Sequence, residues 1–450
     1  MIPYEYKKLV LEAAKKSFTN TPEFVTKRII EELEFLEKQA TGKDATRTGN
    51  YWRANYLLRS LLAKRKNRSA YVLDNGLNGN LLIGYLLGLS EIVPLPPFYY
   101  CSQCSHYELG PKEIISGYSL PTKLCPECST KMIGMGIDIS LNENSLDSAS
   151  SVGLKVSKKF LKRNHLDMYG SFNRKIDRRD CQSFTITIAN AVIKIDESLD
   201  VAIIEKMVDD YEINILNIDY NDKKVFRTIF GDNNFGLHII GNRLFHKISN
   251  LVGQSTSFDE FIRLMGFYLG PSCNSENVDK FSKNHNRICL AGLPTNHEDL
   301  NKALADLGIE NQGLHAADKS AINNLLTLKK QTSNQESLTE LIDYMKTSVY
   351  FERKCKVITK TLLIYRIAYL KTYHPELFMR AIGELGYSKV SIKEMKRAVS
   401  RAKLNARIIG KEASNEELLQ DVAHHLKNYV DWQSHSYREQ FELFNLVCKD

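Results

Sequence analysis

Two dithiol pairs constrain this 450-residue chain more than any other feature: Cys101-Ser102-Gln103-Cys104 and Cys125-Pro126-Glu127-Cys128. Four thiolates at C-x2-C…C-x2-C spacing can close a tetrahedron around one zinc ion. Each pair forms a tight knuckle, and the loop between brings the knuckles together. The same set could hold an iron–sulfur cluster, and four unrelated free thiols are the plain alternative. Four protein ligands leave no open coordination position, so the expected metal is structural.

The length allows two or three domains with proper cores. A formal charge of +8 and a pI near 8.8 favour polyanionic partners, although a well-solvated ordinary protein can carry the same balance. Nine cysteines, four in metal spacing and the rest scattered, fit a reducing compartment better than a disulfide framework. Met1-Ile2-Pro3-Tyr4-Glu5 lacks signal-peptide architecture, and no apolar run approaches membrane-spanning length. A cytoplasmic protein with no membrane partner and no evident small-molecule substrate is the expectation.

Apolar residues every three or four positions predict helix over 5–40, followed by a polar break at Thr41–Thr46 and a second helix through Leu61 and Leu62. Leu81–Gly88 reads as a buried helix. Thr185-Ile186-Thr187-Ile188 alternates as a strand, and Ile213–Ile218 reads as another, half buried. From 222 onward the pattern is nearly all helix. Ser391 and Glu394 stand as a capping box opening a basic helix. The expected fold class is α+β, mostly helical.

The residues around the dithiols form a recognisable frame. Upstream runs Ser90-Glu91-Ile92-Val93-Pro94-Leu95-Pro96-Pro97-Phe98-Tyr99-Tyr100-Cys101. Between the pairs lies Gly117-Tyr118-Ser119-Leu120-Pro121, and after them Gly136-Ile137-Asp138-Ile139. This resembles the zinc-bearing palm segment of the PolC-type DNA polymerase III α subunit of low-GC Gram-positive bacteria. The resemblance continues in Pro22–Leu33, in Phe235–Gly241, and in Tyr365-Arg366-Ile367-Ala368-Tyr369-Leu370-Lys371-Thr372-Tyr373-His374-Pro375, covering roughly 20–385. It implies a thumb-like helical segment over 1–68, a palm-like domain over 69–221 with the zinc knuckle at 101–128, a fingers-like helical domain over 222–387, and a basic helical extension over 388–450. The family's exonuclease, phosphoesterase and clamp-binding parts have no counterpart in these residues.

Nucleotidyl transfer needs two Mg²⁺ ions on clustered carboxylates. The family places two of these one residue apart in P-D-I-D-L-N-F. Extended without gaps, the resemblance puts Leu154 and Val156 there, with Lys155 between them, a set that cannot hold a hard cation. Asp138 matches the upstream G-x-D-I-P-F-E instead, and Asp167 is paired with His165. Only the family's third carboxylate has a match, Asp219, for which a plain turn aspartate is the competing reading. In the stretch matching the triphosphate loop, Leu73–Asn80, Gly76 is retained, but Asn75 replaces the arginine and Asp74 adds the wrong charge. A magnesium cofactor is therefore not expected.

Basic residues crowd two segments: Lys158, Lys159, Lys162, Arg163, Arg174, Lys175, Arg178 and Arg179, then Lys393, Lys396, Arg397, Arg401, Lys403 and Arg407. Such residues serve as phosphate contacts or simply as a solvated face. The leading functional reading is a PolC-like pseudo-polymerase that binds DNA or a replisome component, as a phage or mobile element would use against host replication. An active DNA polymerase with relocated carboxylates (Asp138, Asp167 and Asp219) and a structural protein–protein module are the alternatives.

Overall fold

The structure is a computed structural model. It describes residues 2–41, 51–62, 73–74, 78–139, 141, 152–163, 175–176, 182–188, 191–215, 218–231, 237, 239–240, 243–272, 278–279, 289–309, 319–328, 335–348, 350–385, 392–408 and 414–426.

The chain opens with helices α1 (Tyr4–Ser17), α2 (Glu23–Thr41) and α3 (Tyr51–Leu62). The Leu81–Gly88 run forms only the short α4 (Leu82–Leu86), buried among them. Its first backbone N–H groups, which have no partner within the helix, are capped from another helix. Glu32 on α2 is fully buried and accepts from Leu82 N at 2.7 Å and Ile83 N at 2.9 Å. Arg28, one turn earlier, donates to Glu32 at 2.6 Å and to the carbonyls of Ile139 and Asn80, both at 3.1 Å. This network ties α2 to the segment around Asn80 and to the far end of the dithiol frame.

Two sheets follow. In the smaller, β2 (Phe98–Tyr100) lies between β3 (Tyr107–Leu109) and β4 (Ile133–Met135), all antiparallel. One face packs on the α1–α2 corner, with Phe18 edge-on to Tyr100 and Phe24 edge-on to Phe98. The larger sheet has the order β1-β5-β8-β7-β6, built from Leu73–Asp74, Val152–Val156, Ala191–Glu197, Gln182–Ile188 and Lys175–Ile176. β5 and β8 run parallel and the other pairs antiparallel. Along β8, Ile193 and Ile195 are buried and Lys194 is exposed, the period-2 pattern of a strand with one face on the core. Helix α5 (Lys158–Arg163) follows β5, and α6 (Leu199–Asp209) follows β8.

No strand forms at Ile213–Ile218 among the described residues. Glu212 takes a left-handed φ of 55°, and Ile213 N returns to Met207 O at 3.1 Å, so the chain folds back on α6. Ile215 is buried by this fold-back without a strand partner, which explains why its apolar pattern reads like one.

Beyond Asp222 the regular elements among the described residues are all helices: α7 (Lys223–Phe230), α8 (Arg243–Val252), α9 (Phe258–Leu269), α10 (His297–Asp306), α11 (Lys319–Leu328), α12 (Gln335–Thr347), α13 (Lys354–Tyr373), α14 (Pro375–Glu384), α15 (Ile392–Ile408) and α16 (Asn415–His425). The fold class is thus mostly helical α+β. Helix α13 is buried on almost every side, as expected for a central helix with apolar residues all round. One continuous hydrophobic cluster runs from Ile2 through both sheets to Ile382. The α15–α16 hairpin packs separately, through Ala398, Val399 and Ala402 on α15 and Leu419 and Val422 on α16. Ser391, the cap of the expected capping box with Glu394, lies outside the described residues. A complete capping box does form at α16, between Ser414 and Glu417. No described helix is long and apolar enough to cross a membrane.

Candidate metal centre and the carboxylate turn

The two dithiol segments fold into near-copies of one turn. Cys101 N–H donates to His106 O at 2.9 Å, and Ser105 N–H to Cys101 O at 2.9 Å. In the second copy Cys125 N–H donates to Thr130 O at 2.8 Å, and Ser129 N–H to Cys125 O at 2.9 Å. Both copies turn through a left-handed residue, Ser105 at φ 64° and Ser129 at φ 57°. These turns point all four sulfurs inward. All lie within 4.8 Å of one another, with Cys101–Cys128 at 3.4 Å and Cys104–Cys125 at 3.5 Å.

Zinc–sulfur bonds of about 2.3 Å in a tetrahedron place the sulfurs about 3.8 Å apart, so this donor set fits zinc with little adjustment. Cys101 and Cys125 are buried, Cys128 is half buried and Cys104 is exposed. The thiols share their protons: hydrogen bonds with Thr130 lower Cys128, while Cys104, despite its backbone bond near His106, is raised by burial and by the neighbouring thiols. The loop between the pairs is seated by Gly117. Its N–H donates to Gly136 O at 2.7 Å, and a Cβ there would stand 2.2 Å from Met135 O, so no larger residue fits.

Leu154 and Val156 lie on β5, an interior strand of the larger sheet, 1% and 0% exposed. Leu154 pairs with Asp74 on one side and Ile195 on the other. Each buried side chain of this size stabilises the fold by about 1.5–3 kcal/mol. These positions are core.

Asp219 is exposed at a turn. Its carboxylate accepts from Asn221 N–H at 2.9 Å, the local bond of an ordinary turn aspartate. The turn is clamped by Tyr365 on α13, whose hydroxyl donates to Asp219 O at 2.8 Å and accepts from Asp222 N–H at 2.9 Å. Asp222 in turn caps α7 through Lys224 N–H at 2.7 Å and accepts from the Tyr373 hydroxyl. Asp138 is exposed, and its backbone carbonyl, rather than its carboxylate, accepts from Lys354 Nζ at 2.9 Å. Asp167, Asn75 and Gly76 lie outside the described residues. Among the described residues, the four cysteines form the only group of three or more side chains placed to share a metal.

Of the basic residues, Arg397 and Arg401 are exposed one turn apart on α15, with Lys403 and Arg407 also exposed farther along it. Lys162 and Arg163 fall in α5 and Lys175 in β6 by backbone position. Arg174, Arg178 and Arg179 lie outside the described residues.

Residue-by-residue sequence reasoning missed the charges that join the motifs. Arg366 meets Glu91 at 2.5 Å, both nearly buried, and donates to the Tyr220 hydroxyl at 3.2 Å. Asp259, in the first turn of α9, accepts from Ile115 N–H at 2.9 Å and Ser119 Oγ at 2.7 Å. Burial pushes its carboxyl above the usual range. The available signal was that Arg28, Glu32, Glu91 and Arg366 all stand inside family-like motifs.

An α+β chain with a four-cysteine knuckle set between a helical corner and a helical half is the class that fold and site define. No family model matches it. It is 36% identical over 122 residues to a PolC-type DNA polymerase III of Pediococcus pentosaceus, covering 26% of this chain and 8% of that protein. It is 30% identical over 135 residues to the PolC-type enzyme of Lactococcus lactis, covering 29% and 8%. Over 93 residues it is 36% identical to a PolC-type enzyme of Streptococcus pyogenes, covering 20% and 6%. The chain is therefore a PolC-like relative, and each matched stretch spans less than a tenth of the relative's length.

Proposed function

We propose that this chain is a non-polymerising PolC-like protein that acts in, or interferes with, DNA replication by binding DNA or a replisome component. The observation that carries the reading is the burial of Leu154 and Val156 in the sheet core, where the family resemblance calls for paired metal-binding aspartates. Asp219, engaged by its own turn, is a single acid. Two magnesium ions need clustered carboxylates that bridge them.

In this reading the four cysteines hold one structural zinc, which when bound fixes the dithiol loop. Segments 1–68, 69–221, 222–387 and 388–450 act as thumb-like, palm-like, fingers-like and extension parts. The exposed basic residues of α15, with those of 158–179, supply sequence-independent phosphate contacts. The test is direct: binding to primed duplex DNA, measured against salt, together with primer extension. Binding that weakens steeply with salt and gives no extension supports the proposal. No binding even at low salt would shift the reading to a protein partner.

A further inference from the structure

The loop between the dithiols touches both the N-terminal helical corner and the helical half of the chain. At its start, Ser105 Oγ accepts from Asn20 N–H at 3.3 Å, and just before the loop Tyr100 Oη accepts from Thr19 N–H at 3.0 Å, so the α1–α2 corner rests on the first knuckle. In its middle, Ile115 N–H and Ser119 Oγ both donate to the single carboxylate of Asp259, far along the chain on α9. Beside them Asn221 Nδ2 donates to Tyr118 O at 3.4 Å, and the Tyr118 ring packs on Tyr220 and Phe258. The helix keeps Asp259 free for this task. Its N-terminus is capped instead by Ser257, which accepts from Glu260 N–H, while Glu260 accepts from Thr256 N–H.

We propose that the four-cysteine centre and Asp259 are energetically coupled, so that a metal on the cysteines fixes the loop in the form Asp259 binds, and Asp259 raises the centre's metal affinity. This rests on the zinc reading above. The physical basis is that two constraints act on one short loop. The metal closes its ends and Asp259 orders its middle, so each reduces the conformational freedom the other must remove. Such coupling is reciprocal, and it usually amounts to between about fivefold and a hundredfold in affinity.

The test uses the full chain. Elemental analysis of wild-type protein purified without chelator comes first, and absence of zinc there refutes the zinc reading itself. Zinc is then competed away with a chromogenic chelator from wild type, Asp259→Ala, Ser119→Ala and Lys206→Met. Lys206→Met is a control on α6, where Lys206 pairs with Asp210 and Glu384 rather than with the loop. The expected result is at least about fivefold weaker zinc binding in Asp259→Ala, a smaller loss in Ser119→Ala, and none in Lys206→Met. Hydrogen exchange at Ile115 and in the first turn of α9 should rise when zinc is stripped. Unchanged zinc affinity in Asp259→Ala, or in Ser119→Ala should Asp259→Ala not fold, overturns the proposal. An equal loss in Lys206→Met overturns it too, because the effect would then be global.

Discussion

Arg366 on α13 and Glu91 before β2 form an ion pair of 2.5 Å, with side chains 6% and 15% exposed. The two residues belong to two of the segments that resemble the PolC type, and the pair joins the helical half to the dithiol frame. Tyr220, which shares Arg366, follows Asp219 directly, so one buried cation organises three motifs at once.

Removing one member of such a pair strands the other charge away from water. Arg366→Met should destabilise the protein by about 3–5 kcal/mol in urea unfolding, and adding Glu91→Leu should recover much of the loss. Equal stability of wild type and the single variant would show that the pair contributes nothing.

The left-handed serines separate two effects. An L-residue in that region costs roughly 1–2 kcal/mol, which glycine avoids at an entropic cost of roughly 0.5–1 kcal/mol. Ser129→Gly should therefore stabilise the zinc-loaded protein slightly, by at most about 1 kcal/mol. Ser105→Gly should not, since it also loses the Ser105 Oγ bond to Asn20 N–H. Thermal melts of both variants would decide, and equal gains would contradict the geometry.

How much of this was legible in the sequence follows from what each signal depends on. The gathering of the four cysteines was readable, because each pair's spacing is local and backbone turns close it. The helical half was readable from periodicity. Ile213–Ile218 misled because one buried isoleucine on a folded-back segment has the same pattern as a half-buried strand. The roles of Glu32, Glu91 and Asp259 were not legible, since their partners lie dozens to hundreds of positions away and charge alone predicts exposure.

Lys206 bridges Asp210 at 2.8 Å and Glu384 at 2.6 Å, and Glu384 also pairs with Arg380 at 2.8 Å, linking α6 to α14. Hydrogen bonds from Lys206 and Arg380 hold the Glu384 carboxyl down at about 2, and Lys206 lowers Asp210 as well. Both folded-state values lie below the unfolded ones, so their contribution is present above about pH 4.5 and fades as pH falls toward 2. The urea midpoint should drop over that window in wild type and less in Lys206→Met. Parallel curves would remove the cluster from the acid response.

Arg397 and Arg401 are exposed, so reversing both charges should leave the melting temperature within error. It should weaken DNA binding across sequences and flatten its salt dependence. Unchanged affinity would take α15 out of the interface.

The buried pair on β5 gives a sharper test of the palm. Leu154→Asp places a carboxylate in a site 1% exposed with no partner, so it should cost several kcal/mol and not create activity. A stable, folded Leu154→Asp would mean that this position faces solvent.

The most direct measurement is extension of a primed template by the purified full chain with all four nucleotides, in Mg²⁺ and separately in Mn²⁺. The account predicts no product longer than the primer in either metal. Extension by the wild-type chain that disappears in Asp219→Ala would contradict it and establish a polymerase with relocated carboxylates.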